Sequence, residues 1–215
     1  MLLKLVDPNQ GLCDAFAEYF EGLPNVEIIC DGFQNIEEYD CMVSPANSFG
    51  IMDGGVDLAI SQYFGWDLMT RVQKRILNEF LGEQPVGTSI IVGTNHKDHP
   101  FLAHTPTMRV PMNISHTDNV YNAMWAMLLA VHNHNQINEH KIGTVVCPGL
   151  GTGYGRMPWR EASRQMARAY KHYLKPPQRI VWHDVIVRQN AIRMGGYDGF
   201  RTEMDEGKPK LPKSE

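Results

Sequence analysis

The sequence predicts an α/β fold in which one sheet carries helices on both faces. Short β-rich runs alternate with amphipathic stretches of helical period from Leu2 to about Leu174. The chain has 215 residues, 43% of them hydrophobic, which suffices for one sizeable core but not comfortably for two. Neither an internal repeat nor a composition shift marks a domain boundary. A single domain over 1–194 is therefore expected, with a C-terminal extension from about 175 and a flexible tail over 195–215, where the end "GKPKLPKSE" is polar and rich in Pro and Lys.

The elements follow in order. "LLKLVD" reads as a strand, and "GLCDAFAEYFEGL" as a helix because Leu12, Phe16, Tyr19, Phe20 and Leu23 recur at helical spacing. "VEIICDGF" and "DCMVSPANS" are strand candidates. From Asp57 to Leu81 a helical pattern is interrupted near Phe64-Gly65-Trp66, which predicts two helices with a break. "TSIIVGT" and "FLAHTPTM" suggest a strand pair across the "NHKDHP" turn. "DNVYNAMWAMLLAVHNHN" is a strong helix, "IGTVVCPG" a buried strand, and "MPWREASRQMARAYKHYL" a helix with Pro158 near its start. The segment "QRIVWHDVIVRQNAIRMGG" is ambiguous between strand and helix.

Composition excludes several classes of function. A formal charge of −4 with no long basic block argues against general binding to nucleic acid or anionic membrane. No apolar run approaches the roughly 20 residues of a membrane helix, and "MLLKLVDPNQ" lacks the features of a secretory signal. Cys13, Cys30, Cys41 and Cys147 are widely spaced, so reduced thiols in a cytoplasmic setting are expected. The histidines of "HKDHP" and "HNHNQINEH" lack a convergent ligand set, and no metal is expected. The first motif reads as a solvated turn, and His132 and His134 lie on different sides of a helix. His104 reads as a structural histidine in a hydrophobic strand, while His183 and Arg188 could extend a pocket.

Two glycine-rich loops carry the chemistry. In "SPANSFGIMDGGVDLAI" a strand leads through Asn47 to Gly54-Gly55 and a helix start. In "CPGLGTGYGRMPW" another strand passes through Gly149, Gly151, Gly153 and Gly155 into another helix. Glycines let backbone approach a ligand, and N–H groups at a helix start favour an anion. Two such loops at the carboxyl ends of strands would meet over one crevice and grip a diphosphate from both sides. Neither loop is a Walker P-loop or a dinucleotide G-x-G-x-x-G motif. A carboxamide at 47 suits a hydroxyl and a carboxylate at 57 can accept a proton or position water; the plain alternatives are a turn Asn and an Asp in the first turn of a helix.

These loops resemble the two signatures of the macrodomains, which bind ADP-ribose and in many members remove it from modified molecules. Ser44-Pro45-Ala46-Asn47, followed by Gly54-Gly55-Val56-Asp57-Leu58-Ala59-Ile60, is similar to the family's Asn-Ala-Ala-Asn, glycine run and Val-Asp-Gly-Ala-Ile. Thr152-Gly153-Tyr154-Gly155 is similar to its second loop with one residue absent. The resemblance implies a three-layer α/β/α fold around a mixed sheet, and ADP-ribose or a related nucleotide diphosphate as ligand, with an ADP-ribosylated macromolecule as a further partner and no cofactor. Asn47 and Asp57 then become the catalytic candidates. Gly32, Phe33, Gly54, Gly55, Val56, Gly151, Thr152, Gly153, Tyr154 and Gly155 become the ligand-binding ones. Hydrolysis of ADP-ribosyl linkages or of ADP-ribose phosphate esters is the implied activity; a non-catalytic reader and an assembly protein on the same fold are the alternatives.

Three departures bear on that activity. Phe33 stands where the family often has the Asp that holds the adenine amino group, with Asp31 close by. Ser44 replaces the first Asn of the signature. Ser61 stands where one hydrolytic branch has a histidine. Tyr154 is read either as cover for a distal ribose or as a core anchor, and Arg156 either as a phosphate contact or as an exposed residue.

Overall fold

The computed structural model describes residues 1–193. The tail expected over 195–215 lies outside the described residues. In chain order the elements are β1 (Leu2–Val6), α1 (Gln10–Phe20), β2 (Val26–Ile29), β3 (Cys41–Ser44), α2 (Gly55–Phe64), α3 (Asp67–Phe80), β4 (Ile90–Gly93), β5 (Phe101–His104), α4 (Asn119–Ile137), β6 (Thr144–Cys147), α5 (Trp159–Leu174) and α6 (Trp182–Ile192). One mixed sheet has the order β2-β1-β6-β3-β5-β4. Its pairs are parallel except for the hairpin of β4 with β5.

Period-2 alternation divides the strand side chains between two cores. Leu3, Leu5, Cys41, Val43, Val145 and Cys147 face the layer of α1, α4 and α5. Met42, Leu102 and Val146 face the other layer, where Ile60, Leu68, Val72 and Ile76 of α2 and α3 meet them. Burying each of these aliphatic side chains contributes roughly 1.5–3 kcal/mol, so both layers hold the sheet in place. Local signals set the helix limits. Asn9 caps α1 by accepting from the N–H groups of Gly11 and Leu12. Gly65, at φ 93°, makes the expected break between α2 and α3.

Some expected elements are shorter or different. The strand anticipated over 26–33 stops at Ile29. Asp31 Oδ1 accepts from Gly32 N (2.6 Å) and Asn35 Nδ2 (2.8 Å) and folds the chain into a 3₁₀ turn at Phe33–Asn35. Phe33 turns its ring into the core, edge-on to Tyr63. Within the segment read as ambiguous, Trp182–Ile192 forms α6, and the carbonyls of Ala191, Ile192 and Arg193 at its end accept from Arg164, itself ion-paired with Glu161. Arg188 lies over the Trp125 ring and donates to the Tyr121 hydroxyl, so it braces α6 against α4 and does not extend the pocket. The "HKDHP" turn is not wholly solvated: His99 is buried and stacked on Tyr39.

Candidate functional site

β1, β2, β3 and β6 run parallel, so their carboxyl ends emerge on one edge of the sheet. The loops that follow them, with residues just beyond β5, enclose a cleft of about 610 Å³. Both glycine loops line it, and all twelve residues singled out from the sequence lie on its wall: Asn47 and Asp57, Gly32 and Phe33, Gly54 to Val56, and Gly151 to Gly155.

The two loops meet across the cleft at Tyr154. A Cβ added to Gly54 would lie 3.4 Å from the Tyr154 ring, and that ring is two-thirds exposed. Tyr154 is therefore a cover over the first loop and not a core anchor. Gly54 caps α2 without a side-chain acceptor, and the first backbone bond of the helix runs from Leu58 N to Gly54 O. The N–H groups of Gly55, Val56 and Asp57 make no hydrogen bond among the described residues. The N–H groups of Thr152, Gly153, Tyr154 and Gly155 are likewise unpaired there, because the loop closes through Arg156 N to Gly153 O and Met157 N to Gly151 O. Such concave sets of donors, one of them at a helix start, favour an anion. Two glycines are sterically required. Gly55 sits at φ 55°, and a Cβ on Gly155 would come within 2.4 Å of the Gly151 carbonyl oxygen. Arg156, exposed at φ 51°, follows directly.

Side chains of the first loop are largely engaged by the loop itself. Asn47 Nδ2 donates to Ile51 O (2.7 Å), while its Oδ1 accepts from Phe49 N (3.1 Å) and Ile51 N (3.3 Å). The carboxamide thus clips the turn and keeps one amide hydrogen in reserve. Ser61 Oγ donates to Met52 O (2.8 Å), which ties the same loop to α2. Ser44 Oγ donates to Asp57 Oδ1 (2.6 Å) at the buried end of β3. Burial lifts the Asp57 carboxyl to about 7, against a smaller downward pull from the Ser44 hydroxyl. A carboxyl poised there exchanges protons near neutrality.

Sequence reasoning did not find Asp7, which lines the cleft beyond β1 and accepts from Asn9 N (2.9 Å). Burial raises its carboxyl, partly offset by backbone N–H groups of Asn9 and Gly149. Its place one residue past a strand, on the edge where the loops gather, was the available signal. Of the other histidines, His104 is buried, bonded through Nδ1 to Gln84 (2.7 Å), and held neutral by burial, which lowers it to about 3. Among the described residues no group of three or more His, Cys, Asp or Glu side chains could hold a metal. No described helix is long and apolar enough to cross a membrane.

Comparison with known proteins bears on the whole arrangement. Residues 43–166, more than half of the chain, match the family model of the Macro domain. A protein of Aquifex aeolicus (strain VF5) is 28% identical over 134 residues, which make up 62% of this chain and 74% of that one. The macrodomain of Mycobacterium tuberculosis DarG superposes with a TM-score of 0.55 at 19% identity, over 66% of this chain and 87% of its own. A variant of the Oceanobacillus iheyensis macrodomain with ADPR superposes with a TM-score of 0.57 at 20% identity, over 75% of this chain and 88% of its own. At such identities the structural likeness is one of fold.

Proposed function

The chain belongs to the macrodomain family, and from that premise we propose that it binds ADP-ribose and hydrolyses ADP-ribosyl linkages or ADP-ribose phosphate esters. The observation that carries the reading is the pair of glycine loops, whose residues with unpaired N–H groups line one cleft. A diphosphate between them is held by backbone donors alone, which suits a ligand with two adjacent anionic groups and no metal. The solved neighbour with ADPR supports the choice of diphosphate.

In this reading Asp57 is the acid–base group. Its carboxyl near 7 can take a proton from water or a ribose hydroxyl and return it to the leaving oxygen, while Ser44 fixes its orientation. Asn47 is a positioning residue: it shapes the 47–51 turn and offers its remaining amide hydrogen to the ligand. Gly32 and Phe33 form part of the cleft wall, and Tyr154 covers the bound molecule.

A second reading is a non-catalytic reader of ADP-ribose, favoured by the engagement of Asn47 within its own loop and of Asp57 with Ser44. Calorimetry with ADP-ribose, ADP, AMP and ribose phosphate tests the ligand. Single-turnover release of ADP-ribose from a modified protein or nucleic acid, together with phosphate release from ADP-ribose 1″-phosphate, tests the chemistry. Tight binding without turnover on any of these substrates selects the reader; absence of binding rejects both readings.

A further inference from the structure

The cleft wall carries four aspartates and, among the described residues, no Lys, Arg or His. Three of the four are engaged close at hand: Asp7 accepts from Asn9 N, Asp31 from Gly32 N and Asn35 Nδ2, and Asp57 from the Ser44 hydroxyl. Asp53 is exposed and makes no hydrogen bond or ion pair among the described residues. The residue after it, Gly54, lies against Tyr154: a Cβ there would be 3.4 Å from ring carbon Cε2 and 3.7 Å from the hydroxyl. The wall of the cleft therefore holds a free carboxylate on the residue next to the one that Tyr154 covers, and the Tyr154 ring is itself two-thirds exposed.

We propose that Asp53 and Tyr154 select the group attached to the distal ribose, and that this group is a guanidinium, as on an ADP-ribosylated arginine side chain. The proposal rests on the function proposed above and names the substrate class of that same site. A guanidinium is planar and always charged; its N–H fork meets a carboxylate in two parallel bonds, and its face stacks on an aromatic ring. Asp53 and Tyr154 supply those two partners side by side.

Charge argues in the same direction. The backbone donors of the two loops serve the diphosphate, and no basic side chain on the wall is left for a further anion. A phosphate at the distal ribose would add negative charge beside Asp53 with nothing on the wall to offset it. Arg156, which follows the second loop, is exposed and lies off that wall. An ester of a glutamate side chain is neutral at the linkage and meets neither the pairing nor the stacking partner. Where the arginine-linked substrate is turned over, the oxygen of water bonds to C1″ as the C1″–N bond breaks. One proton of that water passes through Asp57 to the departing nitrogen, so the arginine leaves as its guanidinium and the ribose keeps a hydroxyl.

The test gives the full chain ADP-ribosylarginine, a peptide ADP-ribosylated through a glutamate ester and ADP-ribose 1″-phosphate, with free ADP-ribose as the reference ligand. Half-saturation is read from single-turnover cleavage, or from calorimetry if nothing is cleaved. ADP-ribosylarginine should half-saturate at a concentration about five- to tenfold lower than the other two substrates at low salt, with the gap closing as salt rises. Asp53→Asn should narrow the gap by about threefold, and Asp53→Arg should turn the preference toward the 1″-phosphate. The exposure of Asp53 lets both variants fold, which their melting temperatures check. Equal half-saturation by the three substrates, or a preference for the arginine linkage that survives Asp53→Arg, would overturn the proposal and leave ADP-ribose binding standing. Absence of binding to ADP-ribose itself would overturn the proposed function and this inference with it.

Discussion

The two glycine loops do similar geometric work by different means. The first, from Pro45 to Gly54, is fixed by side chains: Asn47 clips its turn, Ser61 ties Met52 to α2, and Ser44 holds Asp57 beneath the helix start. The second, from Pro148 to Met157, is fixed mainly by backbone bonds and by the close seat of Gly155 on Gly151, with one hydroxyl bond from Thr152 to Gly149 O (3.1 Å). Polar residues in the first loop can thus serve shape and chemistry at once. In the second loop they have little to do with shape, and in the proposed reading the backbone itself meets the ligand.

Substitutions can break or sharpen that contrast, and the largest effect should fall on Asp57. Asp57→Asn keeps an acceptor for Ser44 but cannot exchange a proton, so turnover in the single-turnover assay should fall by about 10²- to 10⁴-fold. ADP-ribose affinity measured by calorimetry should stay within about threefold, since the phosphate donors are untouched. Equal losses of rate and affinity would instead make Asp57 part of the binding surface.

The same variant should change how stability depends on pH. The folded carboxyl near 7 lies above its unfolded value of 3.8, so between those values the native state holds more protons and loses stability as pH rises. Asp57→Asn should therefore be more stable than the parent above pH 7, by up to about 4 kcal/mol on the full shift. His104 works the other way: burial lowers it from 6.5 to about 3, so its contribution grows as pH rises across that window. Denaturant titrations of the variant at pH 4 and 6.5 should show this rise without the opposing fall from Asp57.

Gly153→Val probes the second loop. A Cβ there meets nothing within 4 Å, so the melting temperature should move by no more than about 2 °C. The branched side chain occupies the space in front of the N–H groups, and the loss of two charge-assisted bonds should weaken ADP-ribose binding by about 10²-fold. Normal binding would place the diphosphate elsewhere. Smallest should be the effects of two loop side chains on stability. Asn47→Ala removes three bonds that shape its loop and should cost about 1–2 kcal/mol in chemical denaturation. Thr152→Ala removes one and should cost less than about 1 kcal/mol.

The sequence made the alternation of elements, the break at Gly65 and the two loops legible, because glycine position and hydrophobic period are local properties. The hydroxyl of Ser44 was not legible as the partner of Asp57, since thirteen residues and a glycine turn separate them. Nor was the fate of the Asn47 carboxamide, which depends on whether the 47–51 turn closes on it. Phe33 read as a wall residue, and it lines the cleft, but its ring also packs on Tyr63 within the core. Arg188 read as a pocket extension because sequence spacing carries no information on which face of the sheet α6 covers. Long-range pairing decides each of these cases.

Among the described residues β2 occupies one edge of the sheet, is four residues long and pairs only with β1. Backbone hydrogen bonds on such an edge open at lower free energy than those of a strand flanked on both sides. Amides of Val26 to Ile29 should accordingly exchange with deuterium sooner than those of Val145 and Val146 in β6, which lies between β1 and β3. The cleft wall at Asp31 to Phe33 hangs from that weaker strand, whereas the two glycine loops grow from β3 and β6 in the interior of the sheet. In the proposed reading, a bulky ligand would find the wall beside β2 the easier side to displace.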